Sequence, residues 1–101
     1  MGQLSYGSSL SIHLDDRTLA HLQAAIGVKL HNGESFYLSW ATDKEGDSGR
    51  RSVWIFPSAP LFYTFVDSRW PGLNPKWVEA LVRSANTIEG MTVVPEPGLA
   101  G

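Results

Sequence analysis

Ser52-Val-Trp-Ile-Phe-Pro57-Ser-Ala-Pro60-Leu-Phe-Tyr-Thr-Phe-Val-Asp67 is the stretch whose reading decides the fold. Two runs of β-branched and aromatic residues flank a four-residue connection with a proline at each end. That pattern predicts two antiparallel strands and a turn. Neither run can continue as helix through Pro57 or Pro60, and both are too apolar to stay in water. The remainder of the chain then reads as what covers this hairpin: one strand on its edge and two amphipathic helices laid on one face.

Upstream, Leu4 and Tyr6 alternate with Gln3 and Ser5, and Leu10, Ile12 and Leu14 alternate with Ser11 and His13, around Gly7-Ser8-Ser9. Period-two alternation about a glycine turn predicts a first hairpin with one dry and one wet face, His13 on the wet one. Asp15 and Asp16 follow, where a carboxylate accepts from the free N–H groups of a starting helix and meets its positive end. Leu19, Leu22, Ile26 and Leu30 give that helix, from Arg17 to Leu30, an apolar stripe widened by Ala25. Gly27 weakens its interior and suggests a close backbone contact. Asn32-Gly33 supplies the stop.

Ser35 to Ala41 alternates again, with Phe36, Leu38 and Trp40 on one side and Tyr37 on the other. Thr42 to Arg51 reads as a charged, mobile loop. After the central hairpin, Asn74-Pro75 predicts a second helix, a cap followed by a proline whose missing N–H costs nothing. Trp77, Val78, Leu81, Ala85 and Ile88 form its buried stripe, and Gly90 ends it. Met91 to Val94 adds a last strand, and residues 95–101 read as a flexible tail. The order ββαβββαβ predicts an α+β two-layer sandwich: a mostly antiparallel sheet of five to six strands with two helices on one face, in a single domain of residues 1–94. Such a sheet leaves its other face, with Tyr37 and rings from the central hairpin, without cover, and an exposed aromatic face marks a partner.

With 101 residues the chain suffices for one core. A 43% hydrophobic content sets it apart from disordered compositions, and a net charge of -2 gives no diffuse positive field for nucleic acid or an anionic membrane. No cysteine is present, which excludes disulfides, thiolate nucleophiles and cysteine-held metals and fits a reducing cytoplasm. The amino terminus lacks the basic start and apolar run of a secretion signal, and no stretch reaches the ~20 apolar residues of a membrane span.

The motifs that could carry chemistry fail on context. Gly46-Asp47-Ser48-Gly49 matches the residues around a serine-protease nucleophile, on a chain too short for that scaffold. Asp43, Glu45 and Asp47 alternate as in a calcium loop, but Ser48 and Trp54 stand where that loop needs its glycine and its bidentate glutamate. His13, His21 and His31 form no metal-ligand pair and read as surface or capping residues, with His13 beside Asp15 the one acid/base pair to consider. No catalytic residue, metal or cofactor is therefore expected. Tyr37, Arg50, Arg51, Trp54, Arg69 and Trp70 are the candidate binding residues: exposed rings, and rings interleaved with positive charge as in single-strand binders.

Met1-Gly-Gln-Leu-Ser-Tyr-Gly, Asp15-Asp-Arg-Thr-Leu-Ala-His-Leu-Gln, the run from Lys29-Leu through Gly33-Glu-Ser-Phe to Ser39-Trp40, and Leu73-Asn through Trp77-Val-Glu-Ala-Leu to Ser84-Ala-Asn together resemble a family of short actinobacterial proteins. Members often carry the label "ATP-dependent DNA ligase". That label implies adenylate transfer to the lysine of a KxDG motif; the nearest string here is Lys44-Glu45-Gly46-Asp47, with glycine and aspartate in swapped order, so no ligase residue is carried over. The resemblance implies a bacterial, cytoplasmic, stand-alone domain. The expected function is a non-catalytic protein-interaction or self-associating module, a homo-oligomer or a subunit; the alternative is a nucleic-acid-binding accessory protein connected with DNA repair or ligation.

Overall fold

In the computed structural model, which describes residues 1–44 and 47–98, the chain runs β1 (Gly2–Tyr6), β2 (Leu10–Leu14), α1 (Asp16–His31), β3 (Phe36–Lys44), β4 (Asp47–Ile55), β5 (Leu61–Thr64) and α2 (Pro75–Ala85). The architecture is α+β, with two helices and five antiparallel strands among the described residues. The strands divide into two sheets, one ordered β2-β1-β5 and the other β3-β4. This corrects the expectation of a single sheet of five to six strands built on a central hairpin. The two halves of the Ser52–Asp67 stretch do not pair with each other: β4 pairs with β3, and β5 pairs with β1.

The prolines explain the separation. Two-residue hairpin turns, whose twist matches the strands, need positive φ, which proline, fixed near −65°, cannot adopt. Across Pro57–Pro60 the chain instead makes a local turn, Ala59 N–H to the Phe56 carbonyl at 2.9 Å and Leu61 N–H to the Ala59 carbonyl at 2.9 Å. The Pro60 carbonyl accepts from Gly7 N–H at 2.8 Å, which delivers β5 to the free side of β1.

The charged stretch read as a mobile loop is mostly ladder. β3 and β4 pair from Phe36↔Ile55 to Lys44↔Asp47, a ribbon that continues through Thr42–Lys44 and Asp47–Arg51. Glu45 and Gly46, and with them part of the protease-like, calcium-loop-like and KxDG-like strings, lie outside the described residues.

The dry faces meet the helices in one core. Leu4 of β1, Leu19, Leu22, Ala25 and Ile26 of α1, Phe36 and Leu38 of β3, Ile55 of β4, and Trp77 and Leu81 of α2 are all buried in one cluster, with Met91. α1 starts as its sequence suggests, Asp15 accepting from Thr18 N–H at 3.1 Å, and α2 starts on Asn74, which accepts from Lys76 N–H at 3.0 Å. Gly27 is exposed with open space where a side chain would stand, so the close contact expected there does not occur. Ile88, assigned to the buried stripe of α2, falls beyond the helix end at Ala85 and is 99% exposed.

His21 is the largest departure of a polar residue from its expected place. It is fully buried rather than a surface or capping group, its ring 4.4 Å from that of Trp77. Nδ1 lies 2.8 Å from the Arg17 carbonyl and Nε2 accepts from Asn74 N–H at 2.7 Å, so the proton sits on Nδ1 and the imidazole ties α1 to the start of α2. Lys29 does the same at the far end, reaching Asn86 Oδ1 at 2.7 Å and Glu34 at 3.2 Å.

After α2 the chain returns across β3. Met91 N–H donates to the Tyr37 carbonyl at 2.7 Å and its carbonyl accepts from Ser39 N–H at 2.9 Å, a single parallel bridge where a full strand was expected over Met91–Val94. Gly90 makes this approach with φ of 85°, and a Cβ there would overlap the Tyr37 carbonyl oxygen. Gly33, with φ of 73°, has open space around it. Gly90→Ala is therefore expected to cost about 3 kcal/mol or more, strain plus overlap, against about 1–2 kcal/mol for Gly33→Ala, from strain alone. Urea denaturation of both variants checks the order.

Candidate functional site

The outer face of the β3-β4 ribbon is set by strand alternation. Phe36↔Ile55 and Leu38↔Val53 turn inward, so Tyr37↔Trp54, Ser39↔Ser52 and Ala41↔Arg50 turn outward. The Tyr37 and Trp54 rings pack edge-on with centroids 4.9 Å apart, and the residues remain 50% and 46% exposed. Because the two rings hold each other across the ribbon, little rotamer freedom is left to lose on docking.

Part of this face is already covered by the chain itself. Ser39 is fully buried although it points outward, since the segment after α2 lies over it: its Oγ donates to the Glu89 carbonyl at 2.7 Å and stands 2.8 Å from Ser52 Oγ. Ile88, one residue before Glu89 and two before the Gly90 contact with Tyr37, stands almost wholly exposed. Its exposure is not legible in the sequence, because Ile88 sits at helical spacing from Ala85 and reads as core.

The ribbon edge beside β1 is tied by one bond. The Tyr6 hydroxyl donates to the Trp54 carbonyl at 3.0 Å, which links the two sheets on that side. The outer face of the three-stranded sheet is different in kind. Gln3, Ser5, Ser11, His13 and Thr64 line it, with the exposed Phe62 as its one ring. The uncovered aromatic surface expected of one sheet is thus divided: a packed pair on the ribbon, Tyr37 and Trp54, and a single Phe62 on the three-stranded sheet.

The six candidate binding residues do not form one site. Tyr37, Trp54 and Arg50 share the outer face of the ribbon, whereas Arg51, the neighbour of Arg50, turns to the opposite face across from Trp40. Arg69 and Trp70 belong to the connection after β5. Trp70 is 72% exposed, its ring 5.9 Å from that of Phe65, and Arg69 holds Asp67 at 3.1 Å, a hydrogen bond that keeps the Asp67 carboxyl below its usual range.

His13 and Asp15, the acid/base pair considered, make no hydrogen bond to each other among the described residues; Asp15 spends both carboxylate oxygens on Thr18. Tyr63 turns inward on β5, and burial pushes its hydroxyl up to about 12, away from proton transfer near neutrality. No group of three or more metal-ligating side chains is present among the described residues.

An α+β domain with an exposed aromatic ribbon face and no assembled catalytic set among its described residues is the class of protein that this geometry defines. The chain belongs to the family described as a domain of unknown function, DUF7882, which matches residues 1–96. No curated protein matches it, and no solved structure does.

The segment after Val94, expected as a loose tail, is fastened as far as Pro97. Glu96 accepts from Arg17 at 2.9 and 2.6 Å and from Asn74 Nδ2 at 3.0 Å, and Asn74 Nδ2 also reaches the Pro97 carbonyl at 3.0 Å. These bonds, Arg17 first and then Asn74, push the Glu96 carboxyl down to about 2. A depressed folded-state value means that the unfolded chain binds the proton first as pH falls. The stabilisation is therefore complete above 4.5 and is lost toward about 2. Thermal midpoints of wild type should fall through that window, and Glu96→Gln should flatten this part of the dependence; identical slopes in the two proteins would remove Glu96 as its source.

Proposed function

We propose that this protein is a non-catalytic interaction module that self-associates through the outer face of the β3-β4 ribbon, with Tyr37 and Trp54 at the centre. One observation carries the reading: a large cross-strand aromatic pair stands half-exposed on the outer face of a two-stranded ribbon whose inner face buries Phe36, Leu38 and Ile55. Soluble chains seldom leave such rings in water without a use for them. Aromatic anchors of this kind dominate binding energy when a partner covers them.

A second copy of the chain is the occupant that this face suits best. The ribbon is narrow, and β4 presents an open edge past Trp54, where Ser52 and Arg50 turn their backbone groups outward; like edges pair readily about a two-fold axis. Each half-covered ring offers on the order of 100 Å² to a partner, well short of the ~800 Å² per side of a stable interface. The association is accordingly weak and reversible, with a dissociation constant on the order of 10–100 µM. We place the module in the cytoplasm of an actinobacterial cell, in keeping with the sequence resemblance and the cysteine-free chain.

The alternative, a nucleic-acid accessory role in DNA repair or ligation, finds less support in the geometry. Arg50 and Arg51 diverge to opposite faces and Arg69 is held by Asp67, so these cations line no common groove.

Sedimentation equilibrium tests the reading. Wild type should show concentration-dependent association, and the double substitution Tyr37→Ser, Trp54→Ser should leave a folded monomer whose far-UV spectrum matches wild type. Wild type that stays monomeric well above about 100 µM, or a variant that associates as strongly, would refute it.

A further inference from the structure

A second surface, on the other edge of the ribbon, points to a different kind of partner. Between β2 and β3 lies a cavity of about 490 Å³, within the ~300–1,000 Å³ range of ligand sites, lined by Ile12, His13 and Leu14 on one wall and Ser39, Trp40, Ala41 and Arg50 on the other. Thr92 and Val93 complete the lining.

Both walls are open strand edges. Gly7 donates its N–H to Pro60, so alternate β1 residues Gln3 and Ser5 face β5, while Gly2, Leu4 and Tyr6 face β2. Their partners Leu14, Ile12 and Leu10 are therefore the hydrogen-bonded ones, and Ser11 and His13 turn their N–H and C=O groups away from β1, toward the cavity side. On β3 the Met91 bridge engages the Tyr37 carbonyl and the Ser39 N–H, which shows that odd-numbered residues face away from β4. Past Met91, the Ser39 carbonyl and both backbone groups of Ala41 have no strand beside them among the described residues.

We propose that this slot accepts an extended segment of a partner protein, which adds as a strand between β2 and β3, and that the segment carries a carboxylate beside apolar side chains. Three features select that occupant. The unpaired backbone groups on the walls are what an extended peptide satisfies and a compact small molecule does not. The chain's own Met91 already makes the first rung on this edge of β3, so the geometry for an added strand exists. Among the described residues the lining is apolar at Ile12, Leu14, Trp40 and Val93 and carries one formal charge, the Arg50 guanidinium, set across the ribbon from Ala41.

Titration of the ¹⁵N-labelled full chain with a blocked peptide that alternates valine and threonine around one glutamate tests this. Saturable shifts are expected at the His13 and Ala41 amides and the Trp40 indole. Glutamine in place of the peptide's glutamate, or Arg50→Gln in the protein, should weaken binding roughly fivefold. Methylation of alternate peptide nitrogens should weaken it by tenfold or more. Absence of saturation up to about 5 mM, or equal binding by the methylated peptide, would overturn the proposal. Octanoate producing the same shifts with equal affinity would also overturn it, assigning the cavity to small amphipathic anions. The Tyr37→Ser, Trp54→Ser protein should bind the peptide as wild type does, which separates this slot from the self-association face.

Discussion

Two prolines, Pro57 and Pro60, prevent the most apolar strands of the chain from folding onto each other. With a proline at each end of the connection and no glycine within it, a tight primed turn between Ile55 and Leu61 is ruled out, and each strand pairs elsewhere. β4 zips to β3, and β5 is handed to β1 through the Pro60 carbonyl and Gly7 N–H. Everything notable about the surface follows from that separation. A continuous sheet would have spread its outward rings over five or six strands; two sheets confine Tyr37 and Trp54 to a narrow ribbon and leave open edges on either side of it.

The two sheets are then held together by few but specific contacts. Tyr6 reaches the Trp54 carbonyl and so links them directly, while the segment Glu89–Met91 fastens the chain after α2 to β3 through Ser39 and Tyr37. Behind them the helices share a core with both sheets, cross-tied by buried His21 and Lys29. In each tie a polar group is buried only where a partner satisfies it, as burial requires. The gap left between β2 and β3 is what these ties do not span.

Local signals in the sequence were sound where backbone chemistry decides the outcome. Asp15 and Asn74 cap the helices they were expected to cap, the Gly7-Ser8-Ser9 turn joins the first hairpin, and alternation placed Phe36 and Leu38 inward and Tyr37 outward. The errors are of another kind. Thr42 to Arg51 looked like a loop because its residues are charged, yet backbone pairing between β3 and β4 carries the ladder on regardless of side-chain polarity. His21 looked like surface because nothing in its neighbours reveals that Asn74, distant in sequence, brings an N–H to its Nε2. The candidate site was half legible for the same reason: Tyr37 and Trp54 follow from period two, but that they meet each other, and that Arg51 and Arg69 stand apart from them, depends on register and on which strand pairs with which.

Backbone proton contacts across the strands test the separation of the two sheets most directly. In antiparallel ladders the residues opposite each other without mutual hydrogen bonds come within about 4.5 Å at Cα, and their Hα atoms give strong nuclear Overhauser effects. The result expected is Hα–Hα contact for Tyr37 with Trp54, Ser39 with Ser52 and Ala41 with Arg50, together with Leu4 with Tyr63 across the other sheet. Hα–Hα contact between the strand ending at Ile55 and the strand beginning at Leu61 would contradict it, since that pairing restores one continuous sheet and removes both the isolated aromatic ribbon and the slot beside it.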